Sequence, residues 1–156
     1  MPADDFSWQI TLAQKVIAIT GANRGIGLGI AEVCLANAAK MVYSLDLMEP
    51  GEEFEALQKR FPNLKYIQTD VTSEESVENA INKVVEETGR IDGLVANAGM
   101  TKHQPALKFE RPELEKLFNL NVSPSWIVVS EAIKADDHRL GLWCLLLRSD
   151  CCSQVH

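Results

Sequence analysis

No apolar run in these 156 residues approaches the length of a membrane span, so no bilayer-crossing helix is expected. The start, Met1-Pro2-Ala3-Asp4-Asp5, lacks the basic residues and apolar stretch of a secretory signal, and the expected location is cytoplasmic. Positive charge is short as well. Fifteen Lys and Arg stand against 22 Asp and Glu, a net charge of −7, which argues against a nucleic-acid surface because phosphate binding wants clustered cations. The acidity serves solubility. The four cysteines show no pattern of a disulfide framework, and Cys34 reads as a small core residue on a helix. Cys151, Cys152 and His156 loosely resemble a metal tail, but zinc sites usually draw on two separated pairs of ligands, and no metal is assigned. Internal repeats and low-complexity linkers are absent too. What remains is one domain, 46% hydrophobic and 24% charged, with room for a real core.

Strand and helix signals alternate along the body of the chain, the mark of a parallel sheet covered by helices. Candidate strands lie at 16–20, 41–46, 65–69 and 91–96. Helix is expected over 28–37, and more clearly over 73–88, where Val77, Ala80, Ile81, Val84 and Val85 recur at helical spacing. Thr72 and Glu75 are expected to form a capping box there, with Gly89 as the stop. Leu114, Leu117 and Phe118 share one face of a later helix that starts near Pro112. Asn121 falls seven residues after Leu114 and would point inward with them, and Pro124 breaks or kinks the helix just beyond. Residues 125–135 again look helical, with Trp126, Val129 and Ile133 on one side. Near Asp137 the text changes. Residues 1–137 hold most of the charge, whereas 138–156 hold three of the four cysteines and the run Leu142-Trp143-Cys144-Leu145-Leu146-Leu147, a candidate fifth strand.

The chemistry concentrates after the strands. Thr20-Gly21-Ala22-Asn23-Arg24-Gly25-Ile26-Gly27 follows the apolar run Val16-Ile17-Ala18-Ile19 and precedes a helix, so backbone N–H groups could meet phosphates at a helix N-terminus. Such a turn also occurs wherever strand and helix merely pack closely. Further features fall at useful places. Asp46 ends the second strand, Asp70 and Val71 follow the third, Asn97-Ala98-Gly99 follows the fourth, and Asn121 sits on the next helix. Singly these are turn chemistry. As an ordered set at strand C-termini they mark the place where open α/β sheets bind ligands.

Over residues 12–134 the chain resembles the short-chain dehydrogenase/reductase family, which implies an α/β fold: a Rossmann-like doubly wound parallel sheet, here incomplete at its C-terminal edge. The segment Thr20 to Gly27 looks like the family's cofactor loop. Asn97-Ala98-Gly99 matches its Asn-Ala-Gly motif, with Ala96 where Asn often stands, and Asn121 matches its helix asparagine at the proton-relay position. The resemblance implies that Gly21, Gly25 and Gly27 admit the pyrophosphate, Ile26 covers the nicotinamide side, Asp46 takes the ribose hydroxyls, and Asp70 and Val71 flank the adenine. Asp46 would repel a 2′-phosphate and favours NAD(H). Arg24 keeps NADP(H) open, since the family's NADP users often greet that phosphate with such a residue, though it could equally touch the pyrophosphate or solvent.

The family's reaction moves a hydride between the nicotinamide and an alcohol or ketone, while a tyrosine exchanges the proton and a lysine four residues on lowers its pKa. Tyr43 and Tyr66 are the only tyrosines here, and no lysine follows Lys134. Counted from Asn121, the tyrosine would fall just past residue 156, and neither Ser149 nor Ser153 stands in a matching serine motif. The expectation is therefore a C-terminally truncated relative: a dinucleotide-binding region over 1–137, a divergent tail over 138–156 from a frameshift or altered splice, and impaired catalysis. The isolated chain is expected to be marginally stable or to associate through its open sheet edge. The alternative is a non-catalytic module that binds dinucleotide, forms a homo-oligomer or pairs with a full-length relative. His103, in the loop after Gly99, reads as a polar loop residue.

Overall fold

Val16–Thr20 (β1) is apolar at four of five positions and buried at all five, as a strand covered on both faces must be. The computed structural model describes residues 11–135 and 143–146. After β1 come α1 (Gly25–Ala36), β2 (Met41–Asp46), α2 (Glu52–Arg60), β3 (Leu64–Gln68), α3 (Glu74–Thr88), β4 (Gly93–Ala96), α4 (Arg111–Asn121), α5 (Ser123–Ala135) and β5 (Trp143–Leu146). The strands form one parallel sheet in the order β3-β2-β1-β4-β5. This is a Rossmann-like doubly wound fold, and the order reverses at β1, which opens a crevice between β1 and β4 at their C-terminal ends.

Alternation along the strands feeds two cores. Val16, Ala18, Tyr43 and Leu45 pack on one face with Val77, Ile81 and Val84 of α3 and Val128 and Ala132 of α5. Ile17, Ile19 and Val42 pack on the other face with Leu28, Ala31 and Leu35 of α1 and Phe54 and Leu57 of α2. Cys34 is half-buried beside that second core, and burial pushes its thiol up, as suits a packing residue.

The structure departs from the sequence expectations at specific residues. β3 starts one residue earlier, at Leu64, and β4 starts at Gly93, not residue 91. At the foot of β4, the Asp92 side chain accepts a hydrogen bond from Val16 N at 2.9 Å, a side-chain substitute for a ladder bond. The α3 cap is Ser73, whose Oγ accepts from Ser76 N at 3.3 Å. Thr72 stands one residue outside the cap position, and its hydroxyl and N–H both donate to Asp70 Oδ1, at 2.6 and 2.9 Å. Gly89 does end α3, in the left-handed region at φ 77°.

The helix pair after β4 differs more. No residue of α4 is fully buried, and Leu114 and Phe118 are exposed. The chain breaks at Val122, two residues before Pro124, which sits buried in the first turn of α5. Trp126 and Ile133 do share a side of α5, but it is the outer one, while Val128, Glu131 and Ala132 face inward. Leu145 and Leu146 pair in parallel register with Val95 and Ala96, so the candidate fifth strand forms beside β4. The rest of the 138–156 tail, with Ser149, Cys151, Cys152, Ser153 and His156, lies outside the described residues. Among the described residues, no helix is long and apolar enough to cross a membrane.

Candidate functional site

Because all five strands run the same way, the turns after β1, β2, β3 and β4 gather at one end of the sheet. There they enclose a cleft of about 390 Å³. Gly21, Arg24, Gly25, Ile26, Gly27, Asp46, Asp70, Val71, Asn97, Ala98 and Gly99 all line it, together with Leu45, Leu47, Met48, Thr69 and Leu120. Every residue the sequence marked for the cofactor therefore meets in one place. Ile26, Leu47 and Met48 stand exposed there, apolar surface that the chain itself does not cover.

The three glycines of the loop do different jobs. Gly21 sits at φ +66°, and a Cβ there would lie 2.8 Å from Ala98 Cα. At Gly27 a Cβ would lie 2.3 Å from Gly21 O and 2.6 Å from Asn97 Nδ2. Both positions let β1, α1 and the β4 turn close on one another. Gly25 also has a positive φ, +59°, but a Cβ there would meet nothing within 4 Å. Of the three, only Gly25 faces open space. Arg24 precedes it as the extended, exposed N-cap of α1. The first N–H groups of any helix lack partners within it, and no acidic residue occupies the first turn of α1.

Two polar clusters hold these turns; the sequence marked Asn97 and Asp46 among their members but not the pairings that join them. Thr20 Oγ1 accepts from Asn97 N at 3.0 Å and from Ala98 N at 2.9 Å. In return Asn97 Nδ2 donates to the Thr20 and Gly21 carbonyls, each at 3.0 Å. Asn97 is only 6% exposed, yet its Oδ1 has no partner. A buried acceptor of that kind is a place for a donor from water or a ligand. The second cluster centres on Asn23. Its N–H donates to Asp46 Oδ2 at 3.0 Å, its Nδ2 to the Met48 carbonyl, and its Oδ1 accepts from Ser44 Oγ at 2.8 Å. Asp46 Oδ1 accepts from Met48 N at 3.0 Å. A buried Asn on a glycine-rich turn was the available signal.

Asn121 stands just outside the cleft, after Leu120. Its Oδ1 accepts from Met100 N and its Nδ2 donates to Met100 O, both at 2.9 Å, so it clamps the chain that leaves β4. It is half-buried, and the inward face expected for it with Leu114 and Phe118 does not form, since both of those are exposed. His103 is exposed on that loop and does not line the cleft.

The tyrosines lie elsewhere. Tyr43 is fully buried and donates to Glu87 Oε2 at 2.8 Å; burial, that hydrogen bond and the Glu87 charge all push its hydroxyl upward. Tyr66 has a buried hydroxyl without a partner, raised by burial and then by Glu49 and Asp46. Neither lines the cleft, and neither is poised to give up a proton near neutral pH. Lys134 pairs with Glu131, a hydrogen bond that raises its pKa. Among the described residues no three His, Cys, Asp or Glu could hold a metal.

The family model for short chain dehydrogenases matches residues 15–141. An uncharacterized oxidoreductase of Thermotoga maritima is 36% identical over 119 residues, which cover 74% of this chain and 46% of that protein. A hydroxynaphthalene reductase of Aspergillus fumigatus is 34% identical over 125 residues, 79% of this chain and 46% of the relative. The structure of an aldohexose dehydrogenase from Thermoplasma acidophilum superposes with a TM-score of 0.69 at 28% identity, over 80% of this chain and 45% of that one. The chain spans about half the length of the curated relatives it matches.

Proposed function

The chain belongs to the short-chain dehydrogenase family, and from that premise we propose that residues 1–137 form an NAD(P)-binding Rossmann region that holds NAD(H) in preference to NADP(H). Members of the family use nicotinamide cofactors. One observation carries the reading: all eleven residues marked from the sequence line a single cleft at the C-terminal ends of the strands. The residues there also fit such a ligand. Gly25 leaves open space before free helix N–H groups, where a pyrophosphate would lie. Asp46 presents a carboxylate for the adenosine ribose, Asp70 and Val71 border an adenine site, and Ile26 offers apolar cover for the nicotinamide. Asn97, which lines the cleft, keeps its Oδ1 unpartnered and could take a donor from a ligand.

When bound, the nicotinamide supplies or accepts a hydride. For the partner substrate, an alcohol or ketone, these 156 residues hold the Asn121 position but no tyrosine at the cleft to exchange the proton. Loss of a general acid typically costs about 10²–10⁴ in rate. A chain of this sequence alone is therefore proposed to bind dinucleotide with little turnover. The same observation favours a second reading, a dinucleotide-binding or partner-binding module. In that role the exposed Phe118, Val122, Trp126 and Ile133 would meet another copy or a longer relative. The test is to titrate the chain with NADH and NADPH, following nucleotide fluorescence, and to assay alcohol oxidation and ketone reduction in parallel. Saturable NADH binding with turnover at or near background is expected. Absence of binding by either nucleotide would overturn the proposal, and rapid turnover would overturn the impaired state.

A further inference from the structure

Asp46 and Asp70 are the two carboxylates among the described residues that line the cleft, and Asp46 is held by a residue that does not line it. Asn23 is 5% exposed, and none of its atoms lines the cavity. Three of its groups bind the β2 side of the site instead. The N–H donates to Asp46 Oδ2 at 3.0 Å, and Nδ2 donates to the Met48 carbonyl. Oδ1 accepts from Ser44 Oγ at 2.8 Å, and Ser44 is fully buried within β2. Met48 N then donates to Asp46 Oδ1 at 3.0 Å, which closes a hydrogen-bonded ring through Asn23, Asp46 and Met48.

Resting on the dinucleotide reading above, we infer that Asn23 is a positioning residue that sets the preference for NAD(H) over NADP(H) by locking the Asp46 carboxylate at the edge of the cleft. Each carboxylate oxygen carries one backbone N–H and keeps its remaining lone pairs for ribose hydroxyls. Rotation of the carboxylate away from an incoming 2′-phosphate would break one or both of those bonds. The penalty on the phosphate thus comes from a fixed like charge. Among the described residues lining the cleft, Arg24 is the only cation, and it stands exposed next to Asn23 in the chain. With the ring intact, Asp46 decides. With it loosened, Met48 can move, the carboxylate can turn outward, and Arg24 is left to attract the phosphate.

The full chain and its Asn23→Ala and Ser44→Ala variants should be titrated separately with NADH and NADPH, and the ratio of the two Kd values compared. The wild type is expected to favour NADH. Asn23→Ala keeps the backbone N–H on Asp46 Oδ2 but removes the side-chain bonds that tie the turn to Met48 and to Ser44, and it should lower that preference by about tenfold. Ser44→Ala, which leaves the Met48 bond in place, should lower it by less, and it serves if Asn23→Ala fails to fold. A purely structural role would weaken both nucleotides together, and an unchanged ratio in the variants would overturn the inference. So would a wild-type preference for NADPH. If the wild type bound neither nucleotide, the dinucleotide reading itself would fall; if it bound NADH with an unaltered ratio in both variants, only the role of Asn23 would.

Discussion

The turn after β1 and the helix pair α4–α5 handle their surfaces in opposite ways. In the turn, Gly21 and Gly27 close against neighbouring backbone, Thr20 satisfies two N–H groups from the β4 turn, and Asn23 ties itself to β2. In the helix pair, Leu114, Phe118, Val122, Trp126 and Ile133 stay exposed, and α4 buries no residue fully. The difference teaches that motif residues and apolar residues place different demands on their surroundings. A motif turn ties down most of its polar groups internally and leaves a few, here Asn97 Oδ1 and the first N–H groups of α1, for a ligand. An amphipathic helix needs only one good face, and α5 spends Val128 and Ala132 on the core while Trp126 looks outward.

Substitutions at three sites break or sharpen this contrast. The largest effect is expected from Gly27→Ala, because the new methyl would stand 2.3 Å from a carbonyl that is itself fixed. A loss of about 3 kcal/mol in urea unfolding is expected, with nucleotide binding abolished. A near-neutral outcome would mean the turn is far looser than its contacts suggest.

Asp92 lies at the opposite end of the sheet and tests whether close polar satisfaction belongs only to the cleft. Burial pushes its carboxyl up, but Val16 N–H, Arg90 and Lys15 together outweigh that and hold it below the usual carboxylate range. A group whose folded pKa is depressed contributes stability above its unfolded value, and that contribution disappears as pH falls through the folded one. Asp92→Asn should therefore cost about 1.5 kcal/mol at neutral pH, and the gap from wild type should close as the pH drops below the unperturbed value of 3.8. A difference that stayed constant from pH 7 to pH 2.5 would remove the ionic explanation.

The smallest effect is expected on the exposed helix. Trp126 is 76% exposed, so Trp126→Ser should shift monomer stability by no more than about 0.5 kcal/mol. A loss comparable to that of Gly27→Ala would show that the outer face of α5 is covered in solution, and sedimentation at several concentrations would separate self-association from internal packing.

Much of the fold was legible because its signals are local. The apolar run before Thr20, the helical spacing of Val77 to Val85, and the turn residues after each strand all declare themselves within a short window. The cap of α3 shows where local reading stops. Thr72 and Ser73 are both capping types, and where the helix starts decides between them: α3 begins at Glu74, so Ser73 caps it while Thr72 turns back to Asp70. The Thr20–Asn97 and Asn23–Ser44 clusters were less legible still, since their partners are 77 and 21 residues apart. The outer face of α5 went unread for a related reason. Periodicity says which residues share a side, and packing on α3 decides which side is buried.

By itself, the sequence determined which residue types follow each strand and how strands and helices alternate, because those depend on backbone preference and periodicity close at hand. The tertiary structure decided that the marked residues meet in one cleft. It also decided that Gly25 alone of the three loop glycines faces open space, and that Asp46 is locked through a residue outside the cleft. The physical reason is the shared direction of the strands. Parallel pairing brings their C-terminal ends together, and only there do groups far apart in the chain come within hydrogen-bonding distance.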